Sequence, residues 1–151
     1  MEWHEPYVHL HRASHPGVPV VHGDICDPSC LKEVAQRIPP PFTMMCGISC
    51  QPYSTQTGSN DERSNAVPST VRACHLFQCP VMILEGVTQA RTNQYVRSHL
   101  QVLAQKLGYH IHEMTLRLEG AWRARRFRWW VVATHPSLCP VKVPDWPKHP
   151  T

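Results

Sequence analysis

The chain has 151 residues, 42% of them hydrophobic and 17% charged, enough for one ordinary domain and too little for two. No apolar run reaches the length of a membrane-spanning helix. The opening Met1-Glu2-Trp3-His4-Glu5 lacks the cationic flank and apolar stretch of a secretory leader, so an intracellular location is expected. The net charge of +4 comes mostly from 11 arginines. Arg123, Arg125, Arg126 and Arg128 cluster together, a local field that suits a polyanionic partner.

Seven cysteines, an odd number without a leader, point to a reducing compartment rather than a disulfide framework. Cys26/Cys30 and Cys46/Cys50 repeat a C-x3-C spacing, and His9/His11 and His110/His112 are H-x-H pairs. A zinc site is one reading of these. No C-x2-C pair is present and the spacing is irregular, so buried thiols and surface histidines are the plainer reading, and no metal site is assigned.

In chain order, Val20 to Ile25 predicts a short strand after the Pro16-Gly17 turn. Asp27 and Pro28 then open a helix as N-cap and first helical residue. Leu31, Val34, Ala35 and Ile38 share its apolar face, and Pro39-Pro40-Pro41 must end it. Phe42 to Ile48 is a strand, followed by a polar loop from Ser49 to about Asn65. Ala66 to Phe77 is a helix and Val81 to Leu84 a buried strand. Ala90 to Leu107 is the strongest helix, with Val96, Leu100, Leu103 and Leu107 on one face and Gly108 as its left-handed cap. His110 to Leu118 alternates as a strand, and Phe127 to Thr134 forms another carrying Trp129 and Trp130. Residues 136–151 are a Pro-rich extended tail.

Strands alternating with helices imply an α/β fold with a mostly parallel sheet and right-handed crossovers. Ligands of such sheets sit beyond the carboxyl ends of the strands. That rule nominates Asp24-Ile25, Ser49-Cys50-Gln51 and Glu85-Gly86-Val87. A thiol at a strand-to-loop junction suits a nucleophile when nearby N–H groups or arginines lower its pKa; a structural cysteine is the alternative. Glu85, leaving an apolar strand, suits a general acid, or else a carboxylate that satisfies the loop backbone.

Cys50-Gln51-Pro52-Tyr53-Ser54, with Gly58 and Asp61-Glu62-Arg63 downstream, resembles the P-C-Q-P-F-S loop of the DNA (cytosine-5) methyltransferases. Glu85-Gly86-Val87 is similar to that family's E-N-V motif. Gly120 with Arg123-Ala124-Arg125-Arg126-Phe127-Arg128 is similar to its G-x-P-Q-x-R-x-R motif. At the front, Glu2-Trp3 and Gly23-Asp24-Ile25 resemble the two elements that hold the cofactor's ribose and adenine. The resemblance covers residues 2 to 135, with five elements in the family's order.

The resemblance implies a partial Rossmann-like, S-adenosylmethionine-dependent methyltransferase domain over residues 1–135. Cys50 would add to carbon 6 of a cytosine flipped from its duplex, Glu85 would donate to ring nitrogen 3, and Arg125 would contact the base. Glu2, Trp3, Asp24 and Ile25 would hold S-adenosylmethionine, and Gln51, Ser54, Arg123 and Arg126 would hold substrate. The expected partner is DNA, with tRNA as the alternative, and the expected location is the nucleus in a eukaryote and the cytoplasm otherwise.

Several positions depart from the pattern. Ser49 replaces the proline before the nucleophile, Gly86 the asparagine of E-N-V, and Trp122 and Arg123 the proline and glutamine. The family's glycine-rich first motif and its target-recognition region have no counterpart. A second reading is therefore a catalytically inactive remnant that binds nucleic acid, a complementary methyltransferase fragment or a second copy of itself.

Overall fold

The protein is seen here as a computed structural model describing residues 1–2, 4–49, 53, 66–118 and 126–138, with 117, 118 and 126 described through their main chain. The elements run α1 (Glu5–Ser14), α2 (Pro28–Arg37), β1 (Thr43–Gly47), α3 (Ala66–Leu76), β2 (Val81–Gly86), a 3-10 turn (Thr88–Thr92), α4 (Gln94–Gln105), β3 (His110–Leu118) and β4 (Arg126–Thr134).

Local chemistry explains most of the boundaries. The Asp27 carboxylate accepts the Ser29 N–H at 2.8 Å, which caps α2 just before Pro28. α2 ends where Ile38 turns extended ahead of the proline run. Asn93 caps α4 by accepting the N–H groups of Tyr95 and Val96. Past its other end the Tyr109 N–H reaches back to the Leu103 carbonyl, with Gly108 at φ 74°, the left-handed backbone that glycine adopts without strain.

The four strands are ordered β1-β2-β4-β3. β1 and β2 pair in parallel, with Gly47 opposite Glu85. β4 runs against both neighbours, with Trp130 opposite Glu85 on one side and opposite Met114 on the other. Three strands thus point one way and β4 the other. The fold is α/β with a mixed sheet and helices packed against it.

One face of the sheet is sealed. Met82, Leu84, Trp129, Val131 and Ala133 are fully buried there and form a core with Val67 and Cys74 of α3 and Val96, Leu100 and Leu103 of α4. Glu113, on the same face of β3, takes the Trp129 indole N–H at 3.1 Å and pairs with Arg97. The opposite face carries Met45, Ile83, Glu85, Arg128, Trp130 and Val132, all at least partly exposed, and Met45 is 65% exposed.

Three expectations need correction. Val20 to Ile25 is not a strand; its one sheet-like contact is a parallel bridge from His22 to Glu2. No ladder extends that bridge among the described residues. A ten-residue helix, α1, precedes it where the sequence pattern gave none. Only Val8 of α1 is buried, whereas Tyr7 and Leu10 are about 60% exposed, so no apolar stripe marks the helix. The expected single helix from Ala90 to Leu107 is two elements, because the Asn93 side chain takes the N–H groups that would otherwise continue the 3-10 turn.

Candidate active site

Glu85 lies near the carboxyl end of β2, on the open face of the sheet. Its Oε1 meets Nε of Arg128 at 2.7 Å, both side chains being about a quarter exposed. The register explains the pairing: Trp130 stands opposite Glu85, and Arg128 lies two residues along β4 on the same face. Arg128 also donates to the Phe127 carbonyl at 2.9 Å, which fixes its fork. The other carboxylate oxygen, Oε2, lies 3.9 Å from where a Cβ on Gly47 would stand, so it points toward β1. A carboxylate about a quarter exposed, anchored by one oxygen and without a partner at the other among the described residues, can share a proton with a ring nitrogen.

β1 ends beside this carboxylate. The Ile48 N–H donates to the Glu85 carbonyl at 2.7 Å. Cys50 follows two residues later and lies outside the described residues, as do Gln51, Ser54, Arg123, Arg125 and Trp3; Arg126 is described through its main chain. Arg128 stands in the arginine cluster and in the resembled motif, but no partner or role was expected for it from the sequence. The signal that finds it is strand alternation, which places Arg128 and Trp130 on one face once Trp130 is set opposite Glu85.

The backbones of Glu2 and of His22-Gly23 pair at a second place, which brings Asp24 near. The Glu2 N–H donates to the Val21 carbonyl and the Gly23 N–H to the Glu2 carbonyl, both at 3.0 Å, which sets Gly23-Asp24 beside Glu2. One oxygen of each carboxylate is held locally: Glu2 Oε1 by the His4 N–H and Asp24 Oδ1 by the Cys26 N–H, each at 2.8 Å. Gly23 has no room for a side chain, because the Cys30 sulfur occupies the place its Cβ would take. Each carboxylate has a second oxygen without a partner among the described residues, able to accept from a hydroxyl or amino group, and Ile25 is half-buried nearby in the chain.

Three other cysteines, Cys46, Cys74 and Cys79, serve the core. Cys46 accepts the Thr70 hydroxyl at 3.2 Å, and burial raises its pKa. Cys74 and Cys79 are buried, and burial raises both thiols, Cys79 to about 11. Among the described residues, no three His, Cys, Asp or Glu side chains converge on a point that could hold a metal ion.

No protein-family model and no curated protein matches the chain by sequence. Its fold, in contrast, is shared with solved methyltransferases. A prophage-encoded protein of E. coli described as a DNA modification methyltransferase superposes with a TM-score of 0.70 at 19% identity, over 90% of this chain and 39% of that one. The Entamoeba histolytica methyltransferase EhMeth gives 0.68 at 16% identity, over 88% and 43%. The Dnmt2 methyltransferase of S. pombe gives 0.64 at 17% identity, over 89% and 40%. The chain therefore spans about two fifths of the length of these neighbours.

Proposed function

We propose that the chain is a cytosine-5 methyltransferase-like catalytic segment acting on DNA, with Cys50 as nucleophile and Glu85 as proton donor. The observation that supports this most directly is the Glu85–Arg128 pair, set beside the end of the strand from which Cys50 follows. A likeness of fold to methyltransferases, one of them described as a DNA modification enzyme, points the same way.

In this reading the Cys50 thiolate adds to carbon 6 of the flipped cytosine, and the electron pair moves to ring nitrogen 3. Glu85 places a proton there through Oε2, while Arg128 holds Oε1 and keeps the carboxyl group aimed at the ring. Carbon 5 thereby becomes the nucleophilic carbon of an enamine. Glu2, Trp3, Asp24 and Ile25 would hold S-adenosylmethionine, whose sulfonium would supply the methyl group to carbon 5 and leave as S-adenosylhomocysteine. Loss of the carbon 5 proton then returns the thiolate. Gln51, Ser54, Arg123, Arg125 and Arg126 remain the proposed contacts to base and phosphate.

Covalent trapping on DNA containing 5-fluorocytosine tests this, because fluorine blocks the closing elimination. A Cys50- and cofactor-dependent adduct on a denaturing gel is the expected result. A folded wild-type protein that yields no adduct on DNA, alone or with added partner, overturns it. An adduct on fluorocytosine-containing tRNA instead moves the substrate to RNA.

One observation favours a second reading, in which another polypeptide completes the fold. β1 is the outer strand of the sheet among the described residues, and it carries Met45, with Phe42 just before it, about 65% exposed and no charge to guard the edge. Sedimentation of the isolated chain tests this: a monomer that remains monomeric at high concentration removes the support.

A further inference from the structure

One residue of β1 is unexplained by the fold. Gly47 ends the strand on the open face of the sheet, exposed and opposite Glu85. A glycine weakens a strand relative to alanine, so its presence marks an unusual backbone angle or a close approach. Gly47 has no such angle: among the described residues Gly108 is the glycine with positive φ. Nor do the described residues crowd it. A Cβ there would meet Glu85 Oε2 at 3.9 Å, an ordinary contact, whereas at Gly23 the Cys30 sulfur already fills the space. What the glycine leaves beside Glu85 is room.

That room opens onto the free end of a carboxylate. Arg128 holds Glu85 Oε1, and Oε2 has no partner among the described residues. Two apolar side chains lie behind it. Strand alternation puts Met45 on the face of Gly47 and Ile83 on the face of Glu85, the two stand opposite each other, and both are at least partly exposed. Residues two apart on a strand are separated by roughly 6.6 Å, the breadth of a single aromatic ring. The notch therefore has bare backbone as its floor, a carboxylate oxygen at one side, and Met45 and Ile83 at its back. A flat ring laid there can meet Oε2 with an edge nitrogen while its carbons rest on apolar atoms.

We propose that Gly47 is a specificity-determining residue: its missing side chain admits the cytosine ring to Glu85 Oε2, and a larger residue there bars the ring while leaving the sheet intact. Strand backbone suits a branched side chain better than it suits glycine. Fold and substrate thus make opposite demands on this position, and the substrate's demand is the one met. The proposal rests on Glu85 being the group that meets the cytosine, and the experiment keeps the two ideas apart.

The full chain is compared with Gly47→Ala, Gly47→Val and Thr43→Val, the last placing the same branched side chain on the same face at the far end of β1. Thermal melting reads the fold, and trapping on DNA containing 5-fluorocytosine reads the site. Gly47→Val is expected to melt at the wild-type temperature or about 1–2 °C above it. Its trapping rate should fall by at least about a hundredfold, because the ring is held away from the carboxyl group. Gly47→Ala, whose methyl group stays at contact distance from Oε2, should fall between the two. Thr43→Val should trap at the wild-type rate.

Trapping by Gly47→Val at the wild-type rate overturns the proposal and leaves the reaction standing. Equal losses in Gly47→Val and Thr43→Val overturn it too. So does a Gly47→Val chain that melts far lower or fails to fold, because the sheet would then need the glycine for itself. Should the wild type trap no DNA, titration with cytidine decides, followed through the side-chain carboxyl NMR signal of Glu85. A signal that moves in the wild type and stays still in Gly47→Val keeps the notch and retires the covalent reaction. A signal that moves equally in both proteins, or in neither, overturns the role of Gly47.

Discussion

Residues 1–37 and the described residues of 43–134 draw on similar side chains and reach different degrees of burial and pairing. In the first stretch Val8, Leu31 and Val34 are the sealed apolar side chains among the described residues, while Tyr7, Leu10 and Val18 each stand more than half exposed. One backbone bridge holds Glu2 to His22. In the second stretch three ladders tie four strands together, and Trp129, Met82, Leu84, Val131 and Leu103 lie sealed beneath them. The proposed chemistry divides along the same line. The proton donor is built on the firm half, where a misplacement of an ångström is costly to a reaction. The residues proposed for cofactor sit on the looser half, which a bound ligand can order by its own affinity.

Equal deletions should therefore have unequal effects, and catalysis should show the widest gap. Arg128→Ala leaves Glu85 without its guanidinium and is expected to lower the trapping rate on fluorocytosine DNA by at least about a hundredfold. Arg128→Lys keeps the charge but loses the planar fork and falls between the two. Asp24→Asn, on the loose half, should change the cofactor concentration needed by about tenfold and leave the trapping rate at saturation intact. A rate defect in Asp24→Asn at saturating cofactor would break the division.

Stability gives the next largest contrast. Trp129→Ala empties the core beneath β4 and strips Glu113 of its indole partner, at a cost of about 3–5 kcal/mol. Val8→Ala removes two methyl groups' worth of burial, about 1.6 kcal/mol. Urea denaturation measures both. Similar losses would mean that α1 is as deeply committed to the fold as β4.

Gly86 sharpens the contrast within the firm half. It is buried on the sealed face, and a Cβ there would meet the side chains of Ile48 and Ala90 at 3.6–3.7 Å, ordinary contact distances. Gly86→Ala should be nearly neutral. Gly86→Asn restores the residue the resembled motif carries, yet places an amide among aliphatic carbons and should cost about 1–3 kcal/mol. A stabilised Gly86→Asn in thermal melts would show that the amide finds a partner.

Much of the firm half was legible because its signals are local. Val81 to Leu84 reads as a buried strand from four consecutive apolar residues, Asp27-Pro28 reads as a helix start from capping chemistry, and Gly108 marks a helix end. The loose half was misread for the opposite reason. α1 buries a single residue and so leaves no period to find, and Val20 to Ile25 looks like a strand but has little beside it to pair with. The Arg128–Glu85 pair needed the register between β2 and β4, which no single segment contains. The burial of Tyr53 was hidden as well, because a tyrosine in a polar loop gives no hint that its ring turns inward.

The smallest expected effect is in pH dependence, and the two halves should fail at opposite ends of the scale. In the firm half, burial, with the neighbouring Cys74 adding to it, lifts the Cys79 thiol from its ordinary value near 9 to about 11. Burial raises the Cys74 thiol and the Tyr109 phenol as well. The unfolded chain then gives up these protons at lower pH than the folded one does. Stability is full below about pH 9 and falls as the pH climbs toward about 11. In the loose half the sign reverses. Hydrogen bonds from the Ser29 hydroxyl and backbone hold the Asp27 carboxyl below its ordinary range, so the α2 cap is intact above that range and is lost as the pH drops through the lowered value. Thermal midpoints followed from acid to alkali should show both arms. Cys79→Ala should shrink the alkaline arm alone, leaving the share of Cys74 and Tyr109, and Asp27→Asn should shrink the acid arm alone. If either substitution flattened both arms, the two halves would be unfolding as one unit, and the contrast drawn between them would apply to packing but not to cooperativity.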